Sequence, residues 1–115
     1  MSKISFGGIG EVVATFACTE AVQTGQVVMV STDNTVDACT NGGKFCGVAI
    51  GAEDGYAAVQ VGGFAALKVS GEGVSAGMVK LSADGNGGVK LDEANGEAYL
   101  VAAVDSAAGT AAVLL

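Results

Sequence analysis

Apolar residues in this chain come in runs of about four to eight, each closed by Gly, Asn, Asp or Ser, a length that fits strands better than helices. Ala, the strongest helix former, is abundant, so periodicity has to decide between the two. In Met78-Val79-Lys80-Leu81 and Gly88-Val89-Lys90-Leu91 the lysines alternate with Val79, Leu81, Val89 and Leu91, the period of two of a half-buried strand. The connecting stretch "SADGNGG" is rich in residues that accept positive φ and predicts a β-hairpin. The same reasoning predicts strands near Glu11 to Phe16, Gln26 to Val30, Phe45 to Ile50, Tyr56 to Val61, Phe64 to Val69, Tyr99 to Val104 and Thr110 to Leu114. Turn signals recur about every 8 to 12 residues, the spacing of a compact all-β barrel or sandwich with little or no helix.

The pattern also repeats. Gly55-Tyr56-Ala57-Ala58-Val59-Gln60-Val61 matches Gly109-Thr110-Ala111-Ala112-Val113-Leu114-Leu115, 54 positions further on. Val48-Ala49-Ile50 falls on Ala102-Ala103-Val104 at the same offset, and Thr24 to Ser31 resembles Ala76 to Ser82 at an offset of 51 to 52. Asp33 and Asp84 follow in turn. The pseudo-repeats therefore cover about residues 22–61 and 74–115. Two copies are too few for a solenoid, which needs about three or more. The expected arrangement is two similar three-strand units related by an approximate two-fold axis, each covering the other's apolar face and sheet edge. The final Ala112-Val113-Leu114-Leu115 reads as a strand built into the sheet. Residues 1–10, with Ser5-Phe6-Gly7-Gly8-Ile9-Gly10, lack strand alternation and read as a flexible arm that orders against a partner, leaving residues 11–115 as a single β domain.

Composition narrows the picture. A chain of 115 residues is one domain by size. Half of it is apolar, yet Trp is absent, Phe numbers 4 and Tyr 2, so the core is built mainly from Ala, Val and Leu. Such small side chains bury little area each, and oligomerisation is a natural further source of stability. With 19 Gly and no Pro, glycine makes the turns. Five lysines, no arginine and 12 acidic residues leave a net charge of −7, which argues against nucleic acid and anionic membranes as partners. No apolar run approaches the roughly 18 residues that span a bilayer, and the start is too broken by Gly for a signal peptide. A soluble protein made in the cytoplasm is expected. Cys18, Cys39 and Cys46 have no C-x-x-C spacing and there is no His, so no zinc site is expected. Buried reduced thiols are the simpler reading of them, a Cys39–Cys46 disulfide the alternative.

Without His, neither a Ser-His-Asp nor a Cys-His arrangement can be assembled. Glu53-Asp54 and Asp92-Glu93 sit in turn-like sequence, where neighbouring carboxylates do not converge as a glycosidase requires. Gly71-Glu72-Gly73-Val74-Ser75-Ala76 has the form G-x-G-x-x-G/A, but a strand and a turn follow where a nucleotide site needs a helix. Asp84-Gly85-Asn86-Gly87-Gly88 starts like a calcium loop, yet Val89 and Asn95 stand where its glycine and glutamate belong. Ser82 with Lys80 forms a formal Ser-Lys pair that nothing else in the chain supports. Elimination leaves an interaction or structural protein with no catalytic residue, cofactor or metal.

Several stretches resemble one family. "GQVVMVSTDNTV", "GVAIGAEDGYAAVQVGGFAALKV", "GVSAGMVKLSADGNGGVKL" and "AYLVAAVDSAAGTAAVLL" are together similar to small bacteriophage and prophage proteins that decorate, or cement, capsids. The resemblance covers nearly the whole chain, and its most specific part is "AAVQVGGFAALKV" followed by "SAGMVKL". It implies a β-rich structural protein, without enzymatic activity, on the outside of an assembled virion. Its partner would be the major capsid protein, bound by a homotrimer at local three-fold positions, and it would be synthesised in the host bacterial cytoplasm. Bridging between capsid subunits by many copies would supply avidity. Under this resemblance the arm from Ser2 to Gly10 is the capsid contact, with Ile4 and Phe6 as apolar anchors and Ser2, Lys3, Ser5 and Ile9 beside them. Capping of the domain by its own arm remains open as well. Two other classes also stay open. One is a surface-adhesion or carbohydrate-binding module, for which Tyr56, Tyr99, Phe45 and Phe64 are the aromatic candidates; the other is a tail- or pilus-like assembly component.

Overall fold

The computed structural model describes residues 10–115, and every regular element among them is a strand. β1 (Val12–Cys18), β2 (Val27–Thr32), β3 (Thr35–Ala38), β4 (Gly47–Glu53) and β5 (Tyr56–Gly62) form a closed barrel in the order β1-β3-β2-β4-β5. β6 (Phe64–Lys68), β7 (Gly77–Ala83), β8 (Val89–Leu91), β9 (Glu97–Asp105) and β10 (Thr110–Leu114) form a second sheet in the order β6-β10-β9-β7-β8. Match the strands in chain order, β1 with β6 through β5 with β10, and the two neighbour relations are the same ring. Only its closure differs. β1 and β3 run parallel and pair at Ala17–Thr35 and Cys18–Val36, whereas a single parallel bridge, Val69–Val89, links the end of β6 to β8. The chain is therefore all-β, a barrel plus a near-closed copy of it, with Gly63 alone between the two units.

Turn chemistry explains the hairpins and corrects one register. β4 and β5 are joined by Asp54-Gly55, with φ of 52° and 81°. A two-residue turn with both φ positive matches the twist of the flanking strands, and Asp-Gly accepts it readily. Its counterpart between Asp105 and Thr110 has two more residues, closed by Gly109 N donating to Asp105 O (2.9 Å) and Ala108 N to Asp105 Oδ1 (3.1 Å). Ala58 pairs with Gly51, and Ala112 with Ala103. The 54-residue offset thus holds for β5 and β10 but drops to 52 for β4 and β9, so Leu100, not Ala102, is the counterpart of Val48. Each hairpin carries a bulge at the same place, at Ile50 and at Ala102. Gly47, at the start of β4, is fixed by close approach: a Cβ there would lie 2.2 Å from the Gln60 carbonyl oxygen.

Each unit contains five strands rather than the three expected. β1 and β6 lie ahead of the stretches in which the sequence repeat is legible, and β3, four residues with one buried valine, has no apolar run to announce it. No strand of one unit pairs with a strand of the other, so the expected mutual covering of sheet edges does not occur. β3 and β8 instead return each ring towards its own first strand.

Packing between the units is asymmetric. Val22, Val28, Val36, Ala49, Ala57 and Val59 fill the barrel. Five strands enclose a narrow interior, which Val and Ala fill, with the half-buried Phe16 packed against them. The second core contains Leu67, Leu81, Ala83, Val89, Val101, Ala111 and Val113 from its own sheet, together with Val27, Cys39, Phe45 and Val48 from the first unit. Because side chains alternate along a strand, Val28 and Ala49 point into the barrel while Val27 and Val48 point out of it, into the second core. The outer face of one unit thus packs against the inner face of the other, in place of a two-fold exchange. Backbone bonds fasten the contact: Gly42 N to Ala83 O (2.8 Å), Ala83 N to Gly43 O (2.9 Å) and Val27 N to Gly87 O (3.0 Å). Phe45 stacks on Tyr99 with ring centroids 4.9 Å apart, and Lys44 Nζ lies 2.7 Å from Glu97 Oε1 at the rim.

Candidate functional site

The outer face of the second sheet is built in rows of directly paired residues. Met78 pairs with Leu100, Leu100 with Leu114, and Leu114 with Phe64, a line across β7, β9, β10 and β6. Paired residues share a face of the sheet, so these four side chains form one ridge. Met78 is 70% exposed, Leu100 and Leu114 are each 37% exposed, and Phe64 is half-buried. Ala103, Ala112 and Ala66 form the next row, and Asp105, Thr110 and Lys68 a polar row beyond it. The result is an apolar band bounded on one side by charge. The sequence carried a signal for it: "YLVAAV" and "TAAVLL" are apolar at successive positions, hence on both faces, the pattern of a sheet covered on both sides. Alternation between Lys80 and its neighbours marks the inner face instead.

The contact residues expected in the arm, Ser2, Lys3, Ile4, Ser5, Phe6 and Ile9, lie outside the described residues. The described chain starts next to the apolar band. Gly10 lies against Gly63, its Cβ position 3.8 Å from the Gly63 Cα, and Phe64 follows immediately.

Glu53 ends β4 and Asp54 is the first residue of the exposed β4–β5 turn. Gly71 to Ala76 form the loop between β6 and β7, and β7 follows where a phosphate site would require a helix. Asp84 is occupied in closing the β7–β8 turn: its Oδ1 accepts from Asn86 N (2.6 Å) and Gly88 N (3.0 Å), and its Oδ2 from the Ser70 hydroxyl. Partial burial raises the pKa of that carboxyl, but these hydrogen bonds together outweigh it and hold it below its ordinary value. Ser82 is fully buried and donates to Asp92 Oδ2 (2.9 Å), while Lys80 on the same strand is exposed. Asp92 Oδ1 also accepts from Asn95 N (2.9 Å), and these bonds lower its pKa, that from Asn95 most. Both aspartates are consumed by their own turns.

All three thiols are free, so the Cys39–Cys46 disulfide is not formed. Burial pushes the Cys39 thiol up to about 11, helped by the nearby Cys46 and Asp37, and burial raises Cys46 too. Among the described residues no three His, Cys, Asp or Glu side chains converge as a metal site would need. The four aromatic candidates do not form a platform: Phe45 is buried beneath Tyr99, Phe64 belongs to the apolar ridge, and Tyr56 alone is broadly exposed, at 60%, on β5. No protein-family model matches the chain, and no curated protein is recognisably similar to it in sequence.

Proposed function

We propose that this protein is a non-catalytic phage structural component that binds the outside of an assembled capsid and strengthens the shell, as a homotrimer whose partner is the major capsid protein. The reading draws on the resemblance to capsid-decoration proteins and on one observation above all. The apolar ridge Met78-Leu100-Leu114-Phe64 stands on an outer sheet face, beside the point where the arm joins the domain. An exposed apolar patch rimmed by polar residues is a common mark of a protein–protein contact. A small protein with a core of Val and Ala gains stability from neighbours, and many copies on a lattice turn modest contacts into avidity. The net charge of −7 favours a protein partner over a polyanion.

Co-sedimentation with purified capsids tests the reading. Saturable binding at a fixed number of copies per capsid, lost when residues 2–10 are deleted, is expected. Absence of saturable binding to capsids from the same genome would sink it. Light scattering on the free protein should give three times the mass of one chain; a monomer, or open-ended filaments, would remove the trimer from the proposal.

A further inference from the structure

Three asparagines in this chain are followed directly by glycine: Asn41-Gly42, Asn86-Gly87 and Asn95-Gly96. Such a pair carries a reaction of its own. The glycine N, with no side chain beside it to hinder approach, attacks the asparagine Cγ; the Cγ–Nδ2 bond breaks, and the glycine's proton leaves with the departing ammonia. Water then opens the cyclic succinimide to aspartate or isoaspartate. Attack needs a glycine N that is not already engaged, and there the fold separates the three pairs. All three asparagines are exposed, so access to water does not distinguish them. Gly42 N donates to Ala83 O (2.8 Å) and Gly96 N to Asp92 O (2.8 Å). Around Asn86, by contrast, Asp84 Oδ1 accepts from Asn86 N (2.6 Å) and Gly88 N (3.0 Å), the amides on either side of Gly87 N, which itself has no acceptor among the described residues.

We propose that Asn86 is a site of spontaneous, enzyme-free deamidation in the folded protein, that Asn41 and Asn95 are protected, and that isoaspartate at position 86 loosens the contact between the two units. A backbone hydrogen bond that must break before the attack slows it roughly fivefold, which sets the expected spread between the sites. The product matters because of what the next residue holds. Gly87 O accepts from Val27 N (3.0 Å), one of the backbone bonds that fasten the units together. A Cβ at Gly87 would come within 2.7 Å of the Gln26 side chain, so this turn lies close against the first unit. Isoaspartate carries the main chain through its former side chain, inserting one extra backbone carbon just ahead of Gly87. It also leaves a carboxylate two positions from that of Asp84, which closes the same turn. The longer backbone shifts Gly87 away from Val27, and the like charges oppose the turn. Nothing in this chemistry depends on the decoration reading.

Peptide mapping by mass spectrometry on the full-length protein, incubated at neutral pH and sampled over weeks, tests it. The mass gain of an amide-to-acid conversion, with paired aspartyl and isoaspartyl peptides, should accumulate at Asn86 about fivefold faster, or more, than at Asn41 or Asn95. In urea, where all three glycine N–H groups are released, the three rates should draw together. Conversion at Asn41 or Asn95 as fast as at Asn86 in the folded protein would overturn the proposal. So would an Asn86 that stays intact in the folded chain over the time in which the urea-treated chain converts. Hydrogen exchange at the Val27 amide reads the consequence. It should be faster in the deamidated fraction, separated by its extra negative charge, and unchanged in Asn86→Gln aged alongside, whose longer side chain cyclises far more slowly. Equal protection of Val27 in the fresh and deamidated protein would overturn the loosening of the contact.

Discussion

The barrel and the second sheet share strand order, strand directions and the bulge of the β4–β5 and β9–β10 hairpins, yet they satisfy their apolar surface differently. The barrel closes through two parallel pairs and buries both its inside and much of one outer row. The second sheet closes through one bridge, lends its inside to the barrel's outer row, and keeps its own outer row in the open. Duplication of a unit doubles its surfaces, but packing one copy on the other consumes two different faces, one from each. Among the described residues the outer row of the second sheet is the one of the two equivalent rows left uncovered.

Equal substitutions at equivalent positions test this comparison most sharply. Val48→Asp places an unpaired carboxylate at a site 4% exposed, at a cost on the order of 4 kcal/mol, a large part of what a small domain possesses. Urea denaturation should show little or no folded baseline for it. Leu100→Asp, at the open twin position, should stay within about 1 kcal/mol of the parent. Similar losses for both would mean that the two rows are not differently covered.

Smaller effects probe single polar side chains. Asp84→Ala deprives two backbone N–H groups and the Ser70 hydroxyl of their acceptor, and should lower stability by about 1–2 kcal/mol in the same denaturation experiment. Its pH dependence has a definite sign. The folded-state pKa of Asp84 lies below the ordinary 3.8, so its contribution is full above the unfolded value and lost as pH falls through the folded one. Melting temperatures of Asp84→Asn should accordingly decline less steeply below about pH 4 than those of the parent.

Cys39, in the segment that bridges the units, titrates in the opposite range. Its pKa is raised from 9.0 to about 11, chiefly by burial, so its contribution is full below the unfolded value and is lost as pH rises through the folded one. Cys39→Ala should remove part of the alkaline decline in melting temperature. Alkylation of the native protein at neutral pH should reach Cys39 more slowly than the half-buried Cys18. The smallest effect belongs to the exposed Lys44–Glu97 pair, where Lys44→Ala should leave the unfolding midpoint unresolved from that of the parent.

Much of the strand content was legible because it is local. Val79, Leu81, Val89 and Leu91 alternate with lysines, "SADGNGG" marks its hairpin, and Asp54-Gly55 marks another. β3 escaped because Thr35-Val36-Asp37-Ala38 owes its place to partners on both sides, β1 and β2, and not to any run of its own. The ridge Met78-Leu100-Leu114-Phe64 was hidden, since its four members come from strands that only the folded sheet brings together.

By itself, then, the sequence determined that the chain makes short strands, turns at glycine and aspartate, and does so twice over; each of these follows from neighbours within about ten residues. Tertiary structure alone decided the 52-residue register of β9, the closing of each ring on itself, and which of two equivalent outer rows is covered. Alternation places an apolar side chain on a given face of a strand, but whether water or another sheet meets that face depends on long-range packing that no local pattern encodes.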